Sequence, residues 1–352
     1  MKRFASIFTA FIISASVALG SSGIASAQSS AALSITPRKN YTVEAGKTVR
    51  DTLNIRNMDS ERTLSLNLNI VDFSFKDDGG TPDLMLAEDA PQTAWSIKPF
   101  VKLSAKTLSI KPRESKTVDV SYTVPKGQGA GSYYSAIVYS SGTPEGGNVG
   151  LSASGVTLAF VTVPGTVKQD LQLEKFGAYR AKAGDRAAKY LNFAIDKPQN
   201  IAYTLKNEGN VAESPTGTIT LRHMFGQEIK INDINPQSSL ALRGQTRTFV
   251  SCIAIKDEHL ELSGTERSNA KVCTDPGLWP GLYTASIDAY YGQNGNPTKE
   301  ITGTTWFIYA PLWFLILLGI LILAIAFAIW RIVSKTKNKK RSVKGKKSAL
   351  RR

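Results

Sequence analysis

The sequence has 352 residues, 42% of them hydrophobic, with a formal net charge of +15 and two cysteines. That length accommodates two ordinary domains plus targeting segments. The excess charge sits at the ends, with Lys2 and Arg3 at the start and eleven Lys and Arg from Arg331 to Arg352. Residues 28–305 are therefore nearly neutral, so the high overall charge says little about their partners, and no nucleic-acid partner is expected.

Residues 1–27 have the three parts of a secretory signal peptide: basic Lys2 and Arg3, an apolar stretch over 7–19, and the small-residue ending Ala25-Ser26-Ala27. Cleavage is expected before Gln28. The Ala-x-Ala ending and the Ser/Gly-rich flank weigh against an uncleaved N-terminal anchor.

Residues 28–305 contain little that reads as helix. Short alternating or β-branched runs recur at 52–55, 63–75, 117–124, 133–139, 156–163, 201–205, 216–221, 246–255 and 283–291, separated by Gly, Pro, Asn and Asp. This pattern predicts antiparallel sandwiches, each strand with one buried and one wet face. Two landmarks repeat with one offset. Asn57 and Asn207 each end a strand in an apolar–basic–Asn sequence, and Tyr133 and Tyr283 each open one in a Gly-x-Tyr sequence. Asn suits a tight turn, and the tyrosines suit the corner of an immunoglobulin-like sandwich, where the hydroxyl ties back to upstream backbone. The expected plan is two tandem immunoglobulin-like β-sandwiches over 31–166 and 167–305, with the boundary at 164–170 and a terminal hairpin over 286–306.

Cys252 and Cys273 lie in the second of these. An even count in an exported segment favours a disulfide over two free thiols, closing a loop of about twenty residues.

Residues 306–330 carry no charge, long enough to cross the hydrocarbon of a bilayer with some tilt. Trp306, Tyr309 and Trp313 cluster at one end and Trp330 stands at the other, where aromatic rings prefer the interface. Arg331 opens a basic tail over 331–352, so the positive-inside rule keeps the tail cytoplasmic. The expected location is the plasma membrane, with a single pass, the exterior outside and the tail touching anionic lipid.

Chemistry-bearing constellations are scarce. His223 and His259 are the only histidines, and neither has ligand spacing or a nucleophile motif. The acidic residues Asp72, Asp77, Asp78, Asp83, Glu88 and Asp89 lack the spacing of a calcium loop and read as a solvated loop. No catalytic, cofactor-binding or metal-ligating residue is assigned, and no enzyme activity is expected.

Two sets of short motifs mark the two domains. The first has Glu44-Ala45-Gly46, Val71-Asp72-Phe73, Trp95-Ser96-Ile97 and Gly131-Ser132-Tyr133-Tyr134, and the second has Asn207-Glu208-Gly209-Asn210, Pro215-Thr216-Gly217, Phe225-Gly226 and Gly281-Leu282-Tyr283. In these motifs the chain resembles the WxL-interacting proteins of Gram-positive bacterial surfaces. The resemblance implies an all-β exterior of two sandwiches followed by one transmembrane helix. It also implies peptidoglycan binding by the first domain and a surface partner for the second. The cysteine pair and the polar insertion between its members depart from the family pattern. The expected function is non-enzymatic adhesion or binding to cell-wall polymer or a surface protein. A membrane subunit of a secretion or signalling assembly is the alternative, and a wall hydrolase a weaker one.

Overall fold

The computed structural model describes residues 33–75, 82–87, 90, 92–141, 152–181, 187–261, 267–292 and 298–349. The segment over 1–27 and the acidic residues Asp77, Asp78, Glu88 and Asp89 lie outside the described residues.

The first sandwich comprises β1 (Leu33–Ile35), β2 (Arg38–Thr42), β3 (Thr48–Asn57), β4 (Leu64–Val71), β5 (Phe73–Phe75), β6 (Pro82–Leu84), β7 (Val101–Leu103), β8 (Thr107–Ile110), β9 (Ser115–Thr123), β10 (Gly131–Ser141) and β11 (Ser152–Val163). One sheet has the order β1-β3-β9-β7 and the facing sheet β2-β11-β10-β4-β8, while β5 and β6 pair as a small hairpin.

The second sandwich comprises β12 (Leu171–Arg180), β13 (Lys189–Tyr190), β14 (Phe193–Ala194), β15 (Asn200–Asn207), β16 (Thr216–His223), β17 (Glu228–Ile231), β18 (Thr246–Cys252), β19 (Ile255–Glu261), β20 (Arg267–Cys273), β21 (Gly281–Tyr291) and β22 (Lys299–Tyr309). Its sheets have the orders β13-β12-β15-β18 and β14-β22-β21-β16-β17, with β19 and β20 as a separate hairpin. In both sandwiches the first edge strand of the five-stranded sheet pairs in parallel, β2 with β11 and β14 with β22. Two sandwiches of one plan stand in tandem.

Alternation explains the packing. Along β4, Leu64, Leu66 and Leu68 turn inward while Ser65 faces solvent. They join Leu53, Ile55, Val118, Val120 and Ile137 in the first core. The second core gathers Tyr203, Leu205, Ile219, Leu221, Ile287 and Phe307. The repeated asparagines perform one task. Asn57 is 1% exposed, and its Nδ2 donates to the carbonyls of Arg62, Ile110 and Lys111 while Oδ1 accepts from Asp59 N. Asn207, also 1% exposed, donates to Val211 O and Ala241 O and accepts from Gly209 N. Each buried amide thus satisfies carbonyls of two separate chain segments at one end of its sandwich. The repeated tyrosines sit at the opposite end. Tyr133 Oη donates to Gly129 O at 2.8 Å, and Tyr283 Oη to Trp279 O at 3.0 Å.

A helix, Leu312–Ala349, follows β22 after only Ala310 and Pro311. Its segment Leu312–Lys335 is the one helix among the described residues long and apolar enough to cross a membrane. The helix starts later than the uncharged run that begins at Trp306. Trp306 and Tyr309 belong to β22, paired with Thr284 and Gly281. Tyr309 is packed in the second core and so is not an interfacial ring, whereas Trp306 is exposed on the strand. The cause is local: Thr304 to Tyr309 is β-branched and aromatic and pairs with β21 along its whole length, and Pro311 then opens the helix by accepting from Leu315 N. Trp313, Trp330 and Arg331 are on the helix, with the Arg331 guanidinium 5.6 Å from the Phe327 ring centre.

Candidate binding surfaces

The two sandwiches share a third apolar cluster that neither core contains. Tyr134, Ala136, Val138 and Phe160 are the outward-facing residues of β10 and β11, alternating with the inward Tyr133, Ile137 and Tyr139. Phe73 and Phe75 of β5 cover them from the first domain, and Leu242, Leu240 and Ala212 from the second. Leu242 is only 1% exposed. The Arg247 guanidinium of β18 lies 4.3 Å from the Phe75 ring centre.

Hydrogen bonds fix the register of this contact. Ser132 N donates to Asn210 O at 2.8 Å, Asn210 Nδ2 to Ala130 O at 3.0 Å, and Ala212 N to Ser132 Oγ at 3.0 Å. Gln245 Nε2 donates to Tyr134 Oη, and its Oε1 accepts from Phe75 N. Tyr134 Oη donates in turn to Arg243 O. Two glycines are required by closeness. A Cβ on Gly131 would lie 2.4 Å from Asn210 O, and one on Gly244, at φ +69°, would lie 3.1 Å from the Trp95 ring. The tyrosine-corner end of the first sandwich therefore abuts the asparagine end of the second, and the pair is one packed body. Asp72 supports it from beneath. Buried rather than solvated, its carboxylate accepts from Thr93 N, Thr93 Oγ1 and Ser135 Oγ.

Two surface depressions are candidates for ligand. The first, about 470 Å³, lies on the sheet β1-β3-β9-β7 and is lined by Arg50, Asp51, Thr52, Lys102, Ser104, Asp119 and Ser121. Ser104 N donates to Asp119 O and Asp119 N to Ser104 Oγ, which pins the edge at this point. Asp51 is held by Lys39 Nζ at 2.8 Å and Tyr41 Oη at 2.7 Å, and these two donors bring its carboxyl down to about 2. The second, about 670 Å³, runs beside edge strand β18 and is lined by Asp233, Asn235, Gln237, Ser239, Thr248, Ser251 and Ile255 among others. Its wall carries the disulfide: Cys252 and Cys273 are bonded, with Cα atoms 5.2 Å apart, and hold the β19–β20 hairpin at this edge.

His223 is 5% exposed and packs against Tyr283 with the two rings tilted, its Nε2 3.3 Å from Pro280 O, so it serves packing. Among the described residues no group of His, Cys, Asp and Glu is arranged to hold a metal ion. Sequence reasoning missed the interdomain cluster, although β10 carried its signal: Tyr133-Tyr134-Ser135-Ala136-Ile137-Val138-Tyr139 is apolar on both faces, the mark of a doubly covered strand.

No protein-family model matches the chain, and no curated protein matches it. Solved structures with a related β-sandwich fold include the class 5 fimbriae chaperone CfaA, at 9% identity and TM-score 0.34, covering 80% of this chain and 100% of that one. The E. coli chaperone DraB, at 11% and 0.32, covers 78% of this chain and 96% of its own. A PapD-like domain of human CEP192, at 12% and 0.25, covers 39% and 88%. At these scores the likenesses say nothing of what this chain binds.

Proposed function

We propose that the chain is a membrane-anchored surface protein of the WxL-interacting type that binds without catalysis, its sandwiches outside the cell and its basic tail in the cytoplasm. The observation that carries this reading is the continuous path from a packed two-sandwich body, through Ala310 and Pro311, into the apolar helix segment Leu312–Lys335. Such a body holds a receptor surface at a set distance from the bilayer.

The first-sandwich depression supplies two cations, Arg50 and Lys102, beside the hydroxyls of Thr52 and Ser121 and the carboxylate of Asp119. That set suits a polymer carrying both hydroxyls and carboxylates, as the glycan strands and peptide stems of peptidoglycan do. The depression beside β18 suits an extended segment of a surface protein, which gains main-chain hydrogen bonds at a sheet edge.

The test is co-sedimentation of the detergent-solubilised full chain with purified peptidoglycan. Arg50→Ala/Lys102→Ala should lose retention while keeping wild-type circular dichroism. Equal retention of the variant moves the ligand to another face, and no retention of the wild type on walls removes the wall-binding reading. A secretion or signalling subunit would instead lose function when residues 312–352 are replaced by an unrelated anchor.

A further inference from the structure

The two sandwiches are arranged head to tail, so the tyrosine-corner end of the second is the counterpart of the surface that the second domain covers on the first. At the covered end Ser132 is 5% exposed, sealed by Asn210 and Ala212. The residue at the same place in the second sandwich, one before Tyr283, is Leu282, which is 41% exposed. Around it stand Phe225 at 81% exposed, Trp279 at 66% and Met224 at 58%. Single exposed apolar residues are ordinary, whereas four large ones gathered at one end of a domain mark a surface that is covered in use.

Their position identifies the cover. Met224 N donates to Leu282 O, so the β16–β17 turn lies against the start of β21. Leu282 pairs with Ile308 and Gly281 with Tyr309, the last residues of β22. Phe193, exposed on β14, also pairs with Ile308. Ala310 N donates to Ala194 O, Ala310 and Pro311 are buried, and the helix begins at Leu312. The apolar end and the first turn of the helix are therefore level, and the joint between them is bonded and packed. Phe225 is also braced: Phe307 stacks on Tyr283 at 5.1 Å, Tyr283 meets His223 at 4.8 Å, and His223 meets Phe225 at 5.3 Å. A ring held outward by three others at the level where a helix enters a bilayer is suited to the lipid headgroup region, where aromatic side chains partition.

We infer that Phe225, Trp279, Met224 and Leu282 form a second membrane contact, seating the end of the second sandwich in the outer leaflet's interface and fixing the orientation of the exterior. This rests on the reading of Leu312–Lys335 as a membrane span. The test uses the full chain reconstituted in phosphatidylcholine vesicles with and without bromine-labelled acyl chains, carrying a fluorescent amino acid at 225, 313 or 58. Met58 lies at the asparagine end of the first sandwich, away from the second. Brominated lipid should quench the probe at 225 and at 313 and leave the probe at 58 unchanged. Quenching at 313 alone would overturn the second contact with the span intact, and quenching at none of the three would remove the span and the contact together. Shielding of 225 from a soluble quencher without lipid quenching would assign the surface to a protein and likewise overturn the inference. In the F225D/W279D variant, the spread of distances from site 58 to the bilayer surface should widen; an unchanged spread would mean that the helix joint alone sets the orientation.

Discussion

Leu242→Ala tests whether the two sandwiches are one body. Leu242 is 1% exposed and packs with Phe73, Phe75, Tyr134 and Phe160 of the first domain, outside the second domain's own core. Truncation removes three carbons, about 2.4 kcal/mol at ~0.8 kcal/mol per methylene, and the cavity left behind raises the cost to about 3 kcal/mol. Because the contact is interdomain, that energy falls on the docking equilibrium and not on either fold. It shifts docked against undocked by roughly a hundredfold, at about 1.4 kcal/mol per factor of ten. The assay is pulsed electron paramagnetic resonance between spin labels at the exposed positions 102 and 230. The wild type should give one narrow distance and Leu242→Ala a broad distribution, with both sandwiches still folded by calorimetry. A narrow distance in the variant, with the full loss appearing in unfolding of the second sandwich, would refute the assignment of Leu242 to the junction.

Three further outcomes follow from groups that hold the sandwiches together. Asn57→Ala leaves the carbonyls of Arg62, Ile110 and Lys111 short of a donor and should cost the first sandwich about 2–3 kcal/mol. Asn207→Ala should do the same to the second, with calorimetry resolving which transition moves. Glu213 is 1% exposed with Oε1 unpartnered, and burial, only partly offset by the backbone N–H of Gly292, pushes its carboxyl up to about 7. An acid whose folded value is raised contributes stability that is full below its unfolded value near 4.5 and lost as pH rises through about 7. The second sandwich should therefore weaken between pH 5 and 8 by at most about 3 kcal/mol, and Glu213→Gln should flatten that slope in chemical denaturation. Reduction, or Cys252→Ser with Cys273→Ser, should lower stability by about 3 kcal/mol and expose the β19–β20 hairpin to trypsin; unchanged cleavage would mean the hairpin is held by other contacts.

The elements most legible in the sequence were those whose cause is local. Strand β4 announces itself by strict alternation, and the asparagine and tyrosine landmarks carry their own hydrogen-bonding chemistry. What escaped depends on partners distant along the chain. Tyr134, Val138 and Phe160 read as ordinary strand residues until Leu242 and Gln245 are brought against them. Asp72 reads as one of several loop acids because composition does not reveal that Thr93 and Ser135 converge on it. Trp306 and Tyr309 read as part of the apolar run because an uncharged strand end and a membrane segment have the same composition. Only pairing with β21 separates them.

Protease treatment of intact cells stripped of their wall tests the threading of the chain most directly. With the sandwiches outdoors, added protease should digest the region before Leu312 and leave a protected fragment made of the membrane span and its cytoplasmic tail. Survival of the sandwiches together with loss of the tail would reverse the orientation and remove the surface-binding role built on it.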